Sequence, residues 1–321
     1  MPSPNSVFTE MVTTTLREHP NEVADNVSAH NALYNRLVKR GKIKKISGGY
    51  EIVRPLDYAQ NGTYQRFSGY DPLNIAASDV LSAAKYDWVQ AAVNITASGR
   101  ELRNNSGANQ IMDLAEQRTR NALRTAANNM SVDLYSSGAL SNQMGGLAHI
   151  IQTNGQGTVG GINSATYTFW RNQFRELSGT GTWTKSTIKD DMNALWLSLN
   201  RGSDKPDLVV MSHDFFSAYW ASLQDLQRYA SADSATAGFQ SLKYVTADVI
   251  FDSNTNFSTT AERAYFLNTE YLELCVHRDA NWTTLDEKMS VNQDAVVIPV
   301  LWQGQIVCSN RSLQGIMIDA S

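Results

Sequence analysis

Four short strings in this chain contain residue types that could do chemistry, and each lacks something that chemistry needs. Gly155-Gln-Gly157-Thr-Val-Gly160 matches G-x-G-x-x-G, the turn that brings a dinucleotide pyrophosphate against backbone amides at a helix N-terminus. Gly161 and the strand-leaning INSATYTF follow, so no helix is expected to start there. GTGTWTKS at 179–186 is close to a phosphate-binding loop, with Lys185 and Ser186 in place. Thr184, however, stands where the second glycine would permit the turn that aims amides at phosphates, and Ser186 reads equally well as a helix cap. His277-Arg278-Asp279 matches the start of a kinase catalytic loop, yet Thr284 stands where the metal-binding asparagine belongs, so a strand end entering a turn is expected. Asp190 and Asp191 fall in the first turn of an expected helix, where carboxylates favour the macrodipole, rather than forming an acid–base dyad. There is no H-E-x-x-H or G-x-S-x-G, and the five histidines show no ligand spacing. No catalytic, cofactor-binding or metal site is expected.

Composition narrows the classes further. With 321 residues, 42% hydrophobic and 18% charged, the chain can bury a substantial core as one large or two interwoven domains. A net charge of −4 argues against a protein whose main task is to grip nucleic acid, which needs a dominant basic field. No apolar run approaches the ~20 residues that span a bilayer, and MPSPNSVFTEMV lacks the blocks of a signal peptide, so a cytoplasmic protein is expected. In that reducing setting Cys275 and Cys308, each inside an apolar run, read as small buried hydrophobes.

The elements come in an uneven order. Val7, Phe8, Met11, Val12 and Leu16, then Val23, Val27, Leu33 and Leu37, predict two short amphipathic helices, the second stopped by Gly41. Arg36, Lys39, Arg40, Lys42, Lys44 and Lys45 cluster there, either as solvated charge at a helix C-terminus or as a patch for an anionic partner. Strands at 49–56 and 86–95 predict a long hairpin of ~33 Å. Ile111, Ala115, Ala122, Ala126, Met130 and Leu134 predict a helix over 106–136, ~45 Å long, capped by Asn105 or Ser106 and closed by Gly138, with an Ala-rich face suited to a sheet. A helix at 187–199, a buried strand at 207–211, a helix through Phe215, Tyr219 and Leu226, and a polar loop at 228–239 follow. Strands are then expected at 245–251, 263–267, 271–277, 295–301, 305–308 and 313–318, which makes the class α+β.

The segment 48–72 is anomalous. It carries Tyr50, Tyr58, Tyr64, Phe67 and Tyr70 among glycines and prolines, too aromatic for a linker and too short to fold alone. Its missing core must come from the rest of the chain or from a neighbouring copy.

The ordered set formed by the arm through Lys45, the hairpin 46–95, the helix ending NNMSVDLYSSG, then MGGL, PDLVVMSHDFF and QDAVVIPVLWQGQIVCSN resembles tailed-bacteriophage major capsid proteins of the Hong Kong 97-type fold. The resemblance implies an N-terminal arm at 1–45 and an extended E-loop at 46–98. A P domain would take 99–138 plus about 276–312, with the long helix as its spine, and an A domain 139–275 plus about 313–321. It further implies hexamers and pentamers closing an icosahedral virion shell around double-stranded DNA, built in the bacterial host cytoplasm with a portal, a scaffolding protein and a maturation protease. Tyr58, Tyr64, Phe67 and Tyr70 would contact neighbouring subunits, and Arg36, Lys39, Arg40, Lys42, Lys44 and Lys45 would face DNA, without sequence specificity, or scaffold.

Two departures from the family qualify this picture. The arm starts almost at Met1, which points to a separate scaffold or a removed prosequence. Some members cross-link through an E-loop lysine, and 46–84 contains none, so noncovalent closure is expected, with room for a cement protein. The alternatives are an encapsulin-like compartment shell, which shares the fold, and a soluble enzyme with a site at 179–191.

Overall fold

The computed structural model describes residues 32–76, 78–104, 108–176, 187–223, 242–252, 263–286, 288–289 and 293–319. The first predicted arm helix, the caps Asn105 and Ser106, the side chains of Ile111 and Ala115, the string 179–186 and the loop 228–239 lie outside these residues.

Helix α1 (Ala32–Lys39) buries Leu33, Tyr34 and Leu37. It ends as its glycine predicts: Gly41 sits at φ 64°, its amide donates to the Val38 carbonyl, and the Lys42 amide donates to the Leu37 carbonyl. That pair of bonds is a Schellman closure, which satisfies two otherwise orphaned carbonyls. The chain continues as β1 (Ile43–Ile46), then β2 (Glu51–Asp57), β3 (Leu81–Asp87) and β4 (Val89–Ser98).

Here the structure differs from the predicted hairpin. The expected strand 86–95 is broken at Trp88: β3 pairs antiparallel with β2, from Glu51 opposite Asp87 to Asp57 opposite Leu81, while β4 departs to another sheet. The hairpin is therefore shorter, with 58–80 as its tip. The break follows from what β4 finds elsewhere, a ten-residue antiparallel ladder in which Ile95 and Ala97 face a core.

Helix α2 (Gly99–Asn104) and the long helix α3 (Ala108–Leu134) come next. Ala122, Ala126, Met130 and Leu134 of the predicted stripe are buried. Ala122 packs into a small cluster with Ile95, Ala97, Val296, Ile298 and Val300, and its short side chain brings the helix close to the sheet. A one-turn helix α4 (Leu147–Ile150), the two-stranded β5 (Thr158–Val159) and β6 (Ile162–Asn163), and β7 (Gln173–Glu176) lead to α5 (Thr187–Leu199). Then follow β8 (Leu208–Met211), α6 (His213–Leu223), β9 (Leu242–Tyr244), β10 (Ala247–Phe251), β11 (Arg263–Leu267), β12 (Leu272–Thr284), β13 (Lys288–Met289), β14 (Ala295–Cys308) and β15 (Gly315–Ile318).

Two sheets organise the described residues. The six-stranded one runs β7-β15-β11-β8-β10-β9. Its central strand β8, LVVM, is buried on both faces, which is why it reads as an unbroken apolar run. Val209 and Met211 face Ile188, Met192, Leu195 and Phe215 of α5 and α6, while Leu208 and Val210 face the main core. The five-stranded sheet runs β1-β12-β14-β13, with β4 also on β14. The two strands expected at 295–301 and 305–308 are one, and it is the axis of this sheet. His277-Arg278-Asp279 lies not at a strand end but inside β12, at a bulge where pairing with β14 lapses between Val276 and Asn281.

Candidate subunit interface on the projecting hairpin

The hairpin's two faces have different fates because a strand's side chains alternate. Ile52 and Leu56 of β2 and Ala84 and Tyr86 of β3 are buried in the main core. The Tyr86 phenol donates to the Cys308 carbonyl at 2.8 Å, and burial raises its pKa far above the ordinary tyrosine value. Trp88 closes the root by donating from Nε1 to the Gly49 carbonyl at 2.9 Å. Gly160 and Gly161, both at positive φ, form the tight turn between β5 and β6, and a Cβ on Gly160 would lie 2.8 Å from the Ala84 Cβ. The G-x-G-x-x-G string is thus a hairpin turn against the stalk, with no helix behind it.

The tip is a different surface. Tyr64, Phe67 and Tyr70 are 82%, 62% and 105% exposed, and Ile75 beside them is 93% exposed. Backbone-directed bonds shape this loop: Gln65 donates to the Pro72 carbonyl, the Ser68 amide to Asp71, and the Ala76 amide to Asn74. The loop's order comes from polar turns while its rings face outward, an arrangement that costs free energy in water and is recovered when another surface covers them. Tyr58 parts company with the other three predicted contacts. Its ring stacks on Phe169 of the same chain, centroids 5.1 Å apart and 24° between planes. Tyr50, Leu73 and Ile75 extend the exposed apolar surface; Leu73 and Ile75 could have been found as apolar residues between two predicted strands with no helical or strand periodicity to bury them.

The six cations divide. Arg36 lies 3.0 Å from Asp248, Arg40 pairs with Asp207, Lys44 lies 2.6 Å from Glu273, and Lys42 Nζ donates to the Glu270 carbonyl. Lys39 and Lys45 are exposed. Four of the predicted contacts therefore tie the arm to the strands beneath it, in partly exposed geometries worth up to ~1 kcal/mol each.

The strings that resembled catalytic motifs fall into structural roles where they are described. Asp190 is in the first turn of α5, and Asp191 accepts from Arg175 Nε at 2.9 Å. Among the described residues no cluster of three metal-ligating side chains occurs, and no helix is long and apolar enough to cross a membrane. Cys275 and Cys308 are free and buried, and burial pushes the Cys308 thiol up to about 12.

Arg311 escaped the sequence reading altogether. It is fully buried, and its guanidinium donates to Ser164 Oγ, Asn172 Oδ1 and the carbonyls of Ile150, Gln156 and Trp170. Burial lowers its pKa to about 10. The sequence carried little signal, because Arg311 sits among Ser309, Asn310, Ser312 and Gln314 and reads as part of an exposed polar turn.

Neither a family model nor a curated protein matches the sequence. Solved structures do match. The capsid asymmetric unit of cyanophage A-1(L) superposes with a TM-score of 0.59 at 13% identity, covering 86% of this chain and 89% of that one. The capsid of a native GTA particle gives 0.57 at 13%, covering 92% and 91%. The chain has the Hong Kong 97-type capsid fold. The same fold covers an encapsulin, the holo-SrpI complex of Synechococcus elongatus PCC 7942, with a TM-score of 0.57 at 9% identity, 88% of this chain and 86% of that one.

Proposed function

We propose that the chain is the major capsid protein of a tailed bacteriophage, assembling into hexamers and pentamers that close an icosahedral virion shell around double-stranded DNA. The observation that carries this reading is the hairpin tip: Tyr64, Phe67, Tyr70 and Ile75 project from a capsid fold and are largely exposed. Covering such a tip on every subunit with the next copy is what joins subunits into a wall. The lysine-free stretch 46–84 supports closure by packing rather than by isopeptide bonds. A net charge of −4 suits a wall that must release its DNA, with Lys39 and Lys45 available for salt-sensitive contact with DNA or scaffold. A portal, a scaffolding protein, a maturation protease and a cement protein are the partners this role calls for, with assembly in the host cytoplasm. The chain itself is assigned no catalytic step.

The encapsulin match supports a second reading, a compartment shell that encloses cargo enzymes. Expression of the full chain, alone and with the products of neighbouring genes, followed by negative-stain electron microscopy, tests both. Shells or rings are expected; a monodisperse monomer under every condition overturns both readings. Nuclease-protected double-stranded DNA inside shells supports the phage role, whereas a co-purifying enzyme in shells without DNA supports the compartment.

A further inference from the structure

The sequence holds two Asn-Gly pairs, Asn61-Gly62 in the hairpin tip and Asn154-Gly155 just before β5. An asparagine followed by glycine carries its own nucleophile: the next backbone nitrogen can close a five-membered ring on the side-chain Cγ, and no Cβ stands in its way. Asn61 and Gly62 are both exposed. Asn61 Oδ1 accepts from the Thr63 amide at 3.0 Å and from Thr63 Oγ1 at 2.8 Å. Those two donors sit on the oxygen where negative charge develops when Cγ is attacked, the placement that stabilises an oxyanion. The Gly62 N–H, whose proton must leave, donates to the exposed Ser78 hydroxyl at 3.3 Å, which offers a path to water. A Cβ built on Gly62 would meet nothing nearer than that hydroxyl oxygen, at 3.9 Å, so there is room for water to enter and a leaving group to depart.

Asn154-Gly155 puts the same two residues in a closed setting. Gly155 is buried at φ 72°, its amide donates to the Gln152 carbonyl at 3.1 Å, and a Cβ there would lie 2.8 Å from the Asn172 carbonyl oxygen. Asn154 Oδ1 accepts from the Gln156 amide at 3.0 Å. The would-be nucleophile is committed to another acceptor, and ring closure must first open that turn.

We propose that Asn61 is a site of spontaneous covalent modification, at which the tip converts its own asparagine to aspartate and isoaspartate. The Gly62 nitrogen gives its proton to water and bonds to Asn61 Cγ; the Cγ–Nδ2 bond then breaks, and the departing nitrogen takes up a proton and leaves as ammonia. Water opens the resulting succinimide, at the side-chain carbonyl to give aspartate or at the backbone carbonyl to give isoaspartate, in which the chain runs through the former side chain. The net change consumes a water and releases an ammonia, and nothing is oxidised or reduced. Each conversion adds a carboxylate to the turn that holds the exposed Tyr64, whose amide donates to the Asn61 carbonyl at 3.4 Å. The reaction belongs to the single chain and does not depend on the shell reading.

Incubating the full unassembled chain in mildly alkaline buffer, followed by proteolysis and peptide mass spectrometry, reads the gain of ~1 Da at each asparagine, and labelling by an isoaspartyl methyltransferase counts the isoaspartate. Asn61 should convert at least ~10-fold faster than Asn154, and after unfolding in guanidinium chloride the two rates should converge. Thr63→Val should slow conversion at Asn61 by roughly 2- to 13-fold, the worth of one hydrogen bond on the attacked amide. Gly62→Ala, for which the structure has space, should slow it by ~10-fold or more, because a Cβ then crowds the attacking nitrogen. Equal conversion at the two asparagines in the folded chain overturns the proposal. So does a preference for Asn61 that persists in denaturant, or a Thr63→Val rate that matches the parent.

Discussion

Replacing Tyr70 by serine separates a surface ring from an interface ring. Tyr70 is 105% exposed, so its own chain loses no packing with it, and the cost to the folded subunit should stay within ~0.5 kcal/mol. Between copies the ledger differs. A tyrosine ring offers on the order of 200 Å² and serine keeps only a small part of that, so ~150 Å² of cover is removed. At ~25 cal/mol per Å², complete cover would be worth ~4 kcal/mol and half cover ~2 kcal/mol, the latter a factor of ~30 in each contact. The unassembled subunit should melt within ~2 °C of the parent by calorimetry, while the concentration at which light scattering reports assembly rises by ~30-fold or more. A melting temperature lowered by more than ~4 °C would place the ring in its own chain's packing, and an unchanged assembly threshold would remove it from the interface; either result refutes the reasoning.

Other parts of the molecule yield sharper contrasts. Arg311→Met should cost at least ~3 kcal/mol, because it leaves five acceptors, four of them in buried contacts, short of a donor; chemical denaturation measures it, and a loss under ~1 kcal/mol would contradict the network's role. His149 is held below its ordinary value of 6.5 by burial first and then by Arg311, so the unfolded chain binds its proton more readily. Stability should therefore fall as pH drops below about 6.5, and His149→Gln should flatten that part of a melting-temperature profile between pH 7 and 5. Lys39→Gln with Lys45→Gln should weaken salt-sensitive binding to double-stranded DNA, read by filter retention, without moving the melting temperature. Arg40→Gln and Lys44→Gln should instead lower stability by up to ~1 kcal/mol each, since both are paired within the chain.

Local patterns carried most of the fold. Leu33, Leu37 and Gly41 specify α1 and its stop, Ile188 through Leu199 specify α5 almost to the residue, and LVVM declares a strand buried on both faces, because each rests on neighbours a few positions away. The aromatic stretch 48–72 stood out in sequence, and the structure leaves Tyr64, Phe67 and Tyr70 of it exposed. Which strands pair is a long-range decision. Residues 86–95 alternate well enough to serve either the hairpin or β14, and only the assembled sheet, with α3 lying on it, showed that Trp88 divides them.

Side-chain partners were the least legible. Six clustered cations look alike in sequence, yet Asp207, Asp248 and Glu273, more than 160 positions away, claim three of them, because the fold brings those carboxylates beside them. Tyr58 and Tyr70 likewise look equivalent, and the approach of Phe169 gives one a stacking partner within the chain while leaving the other bare. The sequence by itself determined that this chain builds an α+β body with an aromatic projection, because periodicity and composition act locally. Only the tertiary structure decided which charges and rings were already satisfied, because satisfaction depends on groups that meet through folding alone.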